Sequence, residues 1–423
     1  MVLFIKSKEW EKYFMKKLTL KIGYYQNISF VLFLYWFILV FWQNIGGYQA
    51  RSFIDVIIKL GLLFYITSFY IFHSKNISKN IFKIFYLLSA LFITFIFETN
   101  INMNIVISYF FMILFIIISY GLGNDFEINK KQLLFFLNLI ICVVLYSCLY
   151  AIVFCTDSFT SALSLNNAYG NELSSFFISS HEYGMYLVYA IISCIIGLEF
   201  SNRKKIIIFY IVSIFIFLIN LILTFSRTSM AALVLFLIVY ILFSKNKNLK
   251  KLILILCCLS IIIFTLSSTI QNFFFKIILK ENNLAGRDVL LELAIEYYKS
   301  GTIREKLFGY GIYQSREFFG LETNHGSIHN AYLQVLIYYG IIGLGSMLIF
   351  LFSNICFCLK EIKKDRFMGA VSLGMLISGM IMMVTNTAII FNSPIDSYFL
   401  TMYTIIIPKY VRNAINKKRF YIK

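Results

Sequence analysis

The chain has four histidines among 423 residues, and two of them, His325 and His329, stand four apart in NHGSIHNAYLQVLIYYGIIGLG, Asn324 to Gly345. An imidazole titrates near neutral pH, so either ring is a candidate to take a proton from a hydroxyl nucleophile. Four-residue spacing also suits a pair of metal ligands on a helix. Gly326 and Ser327 lie between the two, however, and no Glu follows the first as in a metalloprotease helix. With no third ligand evident, no metal and no other cofactor is expected. The competing reading of each ring is a surface imidazole without a role. His181, in SSHEYG, stands at the mouth of another apolar run, and His73 is the fourth.

The candidate cations are Arg227, inside the short turn Ser226–Arg227–Thr228–Ser229, and Arg287, at the start of GRDVLLELAIEYYKSG (286–301). Guanidinium matches phosphate bidentately, and a helix N-terminus already favours an anion, so both suit a phosphate at a membrane surface. Two blander readings stand beside these: Arg227 snorkelling to lipid headgroups, and Arg287 as a solvated helix-end charge. Asp55 and Lys59 form an i, i+4 pair inside an apolar run, where mutual neutralisation competes with a functional role. The chain lacks a paired-aspartate nucleotide-sugar motif, a phosphate-binding glycine loop and a Ser nucleophile elbow.

The elements that must position these residues follow from composition. Hydrophobic residues make up 60% of the chain and charged residues 14%, with a mean hydropathy of +0.80. A soluble chain carries about a quarter charged residues. Apolar runs long enough to cross a bilayer follow one another near 24–43, 53–73, 81–98, 103–123, 132–155, 183–200, 205–225, 228–244, 251–270, 336–358, 367–386 and 395–408. They show no strand alternation, so each is expected to be a helix. The expected fold is thus an all-α polytopic membrane protein of about 12 transmembrane helices, a single integral membrane domain over 1–423. No cleavable leader is expected, because the charged N-terminal segment precedes a late and long first run.

Lys and Arg set the orientation. They crowd the N-terminal segment, alternate loops such as NRKK (202–205), SKNKNLKK (244–251) and KEIKKDR (360–366), and the tail from Lys409; the intervening short loops hold only Arg51 and Arg227. The basic loops, and both termini, are therefore expected on the cytoplasmic side of the membrane. The net charge of +18 then reflects topology and contact with membrane lipid rather than nucleic acid, which is not an expected partner. The eight cysteines fall within or beside apolar runs, which indicates packing rather than a disulfide framework.

Two external connections exceed a simple link, 156–182 and especially 271–329. Residues 271–329, between the ninth and tenth runs, are expected to form an external cap loop, too rich in Phe, Leu, Ile and Tyr to be disordered. Within it, Asp288, Glu292, Glu296 and Lys299 recur at helical spacing, which predicts an amphipathic helix over 286–301. Gly309 and Gly311 follow, two apart, permitting a tight bend or close backbone approach.

With SRTS, GRD, GYG and HNAYLQVLIYYGIIGL in that order, the chain resembles the bacterial O-antigen ligase and polymerase family, including Wzy-type polymerases of O-antigen and capsule. The resemblance covers Leu221 to Leu344. SHEYGMYL is similar to a His-Pro-Asn-x-x-Gly segment of some polymerases, with Glu182 and Tyr183 in place of Pro and Asn.

The resemblance implies a GT-C-like layout and glycosyl transfer on the outer face of the bacterial cytoplasmic (inner) membrane, from a glycan on undecaprenyl pyrophosphate to a sugar hydroxyl, with inversion. Arg227 and Arg287 would hold the pyrophosphate, so a divalent metal is not required. His329 would be the base, making these three the catalytic candidates. Ser226, Asn330, Tyr332, Gly309, Gly311, His325 and His181 are candidates for binding substrate. A chain-length regulator and a flippase are the implied partners. A polymerase, extending another lipid-linked repeat unit, is favoured over a ligase that transfers polymer to the lipid A core. A lipid-linked oligosaccharide flippase without chemistry is the reading from another class. It is disfavoured because the cations lie on external segments and the chain has neither internal repeat nor mid-span proline.

Overall fold

The structure is a computed structural model that describes residues 77–98, 130–164, 172–177, 179–244, 287–323, 328–364 and 366–385, with scattered residues in 101–113 and at 250, 251, 265 and 271. Among them all regular structure is helical: α1 Ile77–Ile96, α2 Lys130–Phe154, α3 Thr156–Ser164, α4 Ser180–Phe200, α5 Lys204–Leu223, α6 Arg227–Phe243, α7 Arg287–Ser300, α8 Ile303–Phe308, α9 Ile312–Thr323, α10 Ala331–Lys364 and α11 Arg366–Met382. Four of these, α2, α4, α5 and α10, are long and apolar enough to cross a membrane, and α1, α6 and α11 carry shorter apolar stretches. The chain is a multi-pass helical membrane protein. These seven helices coincide with expected spans to within a few residues. The expected spans at 24–43, 53–73 and 395–408, most of 103–123 and nearly all of 251–270 lie outside the described residues, as do Asp55, Lys59, His73 and His325.

Among the described residues, short links join α4 to α5 and α5 to α6. The most enclosed is α4, buried almost continuously from Glu182 to Gly197, whereas α5 shows Ile208, Ile211, Val212 and Phe215 at its surface. Apolar surface of that kind suits contact with lipid chains. Polar side chains join helices where hydrocarbon offers no other partner. The Tyr183 hydroxyl of α4 donates to Asn220 Oδ1 of α5 at 3.1 Å, and the Tyr210 hydroxyl of α5 donates to Asn138 Oδ1 of α2 at 2.7 Å.

The cap is keyed into a break in α10. Gly340 has φ 65° and ψ −168° inside that helix, which frees the carbonyls of Ile337 and Tyr338 from their usual acceptor duty. Tyr310 N–H donates to Ile337 O at 2.9 Å and Gly311 N–H to Tyr338 O at 3.2 Å. The cap backbone thus replaces two helical hydrogen bonds, as buried carbonyls demand. Contact is close enough that a Cβ on Gly309 would lie 2.3 Å from Tyr338 O, and one on Gly340 2.3 Å from Leu307 O.

A second key comes from α1. The Glu98 carboxylate, buried just beyond the end of that helix, accepts from the N–H groups of Ile312 at 2.9 Å and Tyr313 at 3.4 Å, where α9 begins. Burial holds its carboxyl above the usual carboxylate value, partly offset by these N–H donors. Phe97 stacks on Phe308, and Arg304 lies over the Phe97 ring. Inside the cap, Tyr297 stacks between Tyr310 and Phe318. The amphipathic helix expected at 286–301 is α7; the short helices α3, α8 and α9 and the break at Gly340 were not anticipated.

Candidate active site

The SRTS turn is built on strain and on a diverted hydroxyl. Phe225, buried, takes φ 51°, a left-handed conformation that bulky residues adopt only when the surroundings enforce it. It turns the chain so that α6 starts at Arg227, with Ser226 as its N-cap. A serine there ordinarily accepts a backbone N–H of the first turn. Here it makes no such bond. Its Oγ lies 3.1 Å from Nδ1 of His181 and 2.8 Å from Oγ of Ser229.

His181 reaches this turn because α4 comes unusually near. Gly184, one turn along, faces the same serines, and a Cβ there would lie 2.7 Å from Ser229 Oγ and 3.1 Å from Ser226 Cβ. The helix start is fixed by Ser179, whose hydroxyl accepts Glu182 N–H at 3.2 Å. The preceding loop docks beside it: Leu173 N–H donates to Leu223 O at 3.1 Å, and Ser180 donates its hydroxyl to the Glu172 carboxylate. Arg227 is half-buried at the head of α6.

His329 also takes a left-handed φ of 51° and is half-buried. Asn330 then starts α10, its Oδ1 accepting Leu333 N–H at 3.0 Å. Of the three non-glycine residues with positive φ among those described, two are Phe225 and His329 and the third is Ser175 in the docked loop. Strain therefore gathers at one end of the bundle, as it does where function over-determines the backbone.

The two motif segments are joined through the end of α11. Ala331 N–H donates to Met383 O at 2.9 Å, and the Tyr332 hydroxyl donates to Met380 O at 3.0 Å. Two residues past Met383, the Thr385 hydroxyl donates to Thr228 Oγ1 at 2.9 Å. A connected path thus runs from His329 through Ala331, Met383, Thr385 and Thr228 to Arg227, and through Ser226 to His181.

Of the residues singled out in the sequence, the structure gathers Ser226, Arg227, His181, His329, Asn330 and Tyr332 at this end. Tyr332 commits its hydroxyl to α11, and Gly309 and Gly311 face Tyr338 and Glu98 of the chain itself. Arg287 is the first residue of α7. Sequence reading missed Ser229, Gly184, Glu98 and Thr385, whose importance lies in contacts between distant segments. Among the described residues no group of three or more His, Cys, Asp or Glu is arranged to hold a metal ion.

Residues 212–348 match the sequence profile of the family described as O-Antigen ligase. The matched range is less than half of the chain, yet it contains SRTS, GRD, GYG and HNAYL, the segments that carry the resemblance. His181, Glu98 and Thr385 lie outside it. A comparison with curated proteins finds no match. The chain thus carries a region similar to the O-antigen ligase and polymerase enzymes, which supports an enzymatic role of the glycosyltransferase kind on lipid-linked polysaccharide.

Proposed function

We propose that the protein is a polysaccharide polymerase, transferring a growing glycan from undecaprenyl pyrophosphate to a sugar hydroxyl of another lipid-linked repeat unit, for O-antigen or capsule. The acceptor oxygen attacks the anomeric carbon and its proton passes to His329. The bond from that carbon to the pyrophosphate breaks with its electron pair leaving on phosphate, where Arg227 and Arg287 neutralise it. The configuration inverts. The arginines supply the charge compensation, so no divalent ion is required. His181, oriented by Ser226, would bind beside Arg227.

One observation carries this reading. A guanidinium suited to phosphate and an imidazole suited to a hydroxyl stand at the starts of two helices, both tied to the same turn, Met383–Thr385. A flippase has no use for that pairing. The site is placed on the outer face of the bacterial inner membrane, with both termini cytoplasmic, and a chain-length regulator and flippase as partners.

The test is complementation of a deletion strain with His329→Ala and Arg227→Ala, reading the surface polysaccharide ladder with membrane accumulation checked. Single repeat units on the lipid A core or carrier, at normal protein levels, are expected for a polymerase. Undecorated core with long polymer accumulating on the lipid carrier would identify a ligase. A normal ladder from both variants would overturn the assignment.

A further inference from the structure

We infer that Thr385 is a positioning residue for the transfer, setting Arg227 and His329 in register with one another. This rests on the function proposed above, but the contact itself does not. Thr228 is the second residue of α6, directly after Arg227, and its hydroxyl accepts that of Thr385 at 2.9 Å. The same short turn offers the Met383 carbonyl to Ala331 N–H, two residues after His329. Each motif segment therefore holds one hydrogen bond to a three-residue turn contributed by neither. Tyr332, bonded to Met380 O, keeps α10 from rotating about its contact with α11.

The chemistry makes this register decisive. The acceptor hydroxyl must meet the anomeric carbon of the donor at about 3–3.5 Å, opposite the departing pyrophosphate, and a displacement of about 1 Å costs on the order of 100-fold in rate. A hydroxyl–hydroxyl bond is a suitable fastener at the edge of an apolar bundle, where an unmade polar contact is costly and water competes weakly. Because the bond lies between side chains, it can be removed without disturbing either helix. Valine matches threonine in shape and lacks the hydroxyl. Serine keeps the hydroxyl and lacks the methyl.

The experiment uses the full chain in membranes of the deletion strain, with lipid-linked repeat units extracted from that strain as substrate. Thr385→Val is expected to lower kcat about tenfold to a hundredfold, with KM for the lipid-linked units within about twofold of wild type. Thr385→Ser is expected to restore most of the rate. Thr228→Val is expected to match Thr385→Val, and the double variant to be no worse than either alone, because one bond is lost in each case. Wild-type kcat for Thr385→Val overturns the inference. So does a fall that Thr385→Ser shares, or additive losses in the double variant. Should Thr385→Val fail to accumulate, Thr228→Cys with Thr385→Cys gives the second measure. Oxidative cross-linking between these positions is expected, and its absence overturns the contact. If His329→Ala and Arg227→Ala keep full activity, the proposed function falls whatever Thr385 does. If they are inactive while Thr385→Val is not, only this inference falls.

Discussion

The hydroxyl of Ser226 stands 3.1 Å from Nδ1 of His181 although Ser226 occupies the N-cap of α6, where its usual partner is a backbone N–H of the first turn. A local rule is broken at the point where two helices present a histidine and an arginine. Such breaks are expected at functional sites. The consequence is measurable. Ser226→Ala should reduce polymer formation about tenfold through loss of imidazole orientation, while thermal stability in detergent changes by less than the ~1 kcal/mol of an ordinary cap. Combined with His181→Ala, it should add little further loss of rate. A large stability change with an unaltered ladder would mean that the serine serves only the helix.

Gly184 admits α4 to the SRTS turn. Gly184→Ala places a methyl 2.7 Å from Ser229 Oγ, so the helix must shift or the serines must turn. Overpacking of this kind costs about 1–3 kcal/mol. The variant should lose most activity and melt earlier, by thermal unfolding of the purified protein. A variant as stable and active as wild type would show that α4 approaches less closely.

Gly340 combines a backbone conformation open mainly to glycine with contact to Leu307 and Gly309. Gly340→Ala should be the most damaging single-methyl change. The strained φ costs about 1–3 kcal/mol, and the clash adds to it. Reduced membrane accumulation and faster proteolysis within the cap are expected, and normal protease resistance would count against the key.

Glu98 gives a pH dependence with a definite sign. Its carboxyl is held above its ordinary value of 4.5 by burial, so between that value and its raised value the folded protein holds a proton that the unfolded chain has released. Its contribution to stability is therefore present below the unfolded value and is lost as pH rises through the folded one. Thermal midpoints of wild type and Glu98→Gln, measured from pH 4 to 8, should diverge as pH rises, the amide variant being the more stable at the top. The amide oxygen still accepts Ile312 N–H, so the α9 start stays capped. Parallel curves would mean that Glu98 titrates as an ordinary carboxylate.

Much of the helical layout was legible because hydrocarbon admits few alternatives. A run such as 205–225 can only be a helix, and its ends followed from Lys204 and the SRTS turn. The motif residues were legible for a different reason: Arg227 and His329 are rare side chains at apolar boundaries. What joins them was not. Thr385 sits in VTNT, a stretch with no charge, histidine or glycine, and its meaning depends on Thr228, 157 residues away in the chain. The two cap glycines suggested a bend or a close backbone approach, and the approach is to the backbone of α10 at a helix break that no periodicity marks. SHEYG was readable only as a loose similarity until Gly184 and His181 were seen against the same two serines.

The break at Gly340 also orders the birth of the protein. GYG leaves the ribosome before the carbonyls of Ile337 and Tyr338 that it must satisfy, and long after Glu98, its other neighbour. While the cap is being made, the Glu98 and Phe97 side of its docking site already exists and the α10 side does not. Docking can be complete only after α10 has been synthesised. Until the cap docks, α10 has two carbonyls near its start that lack their native donors, so the cap completes the helix as much as the helix completes the cap.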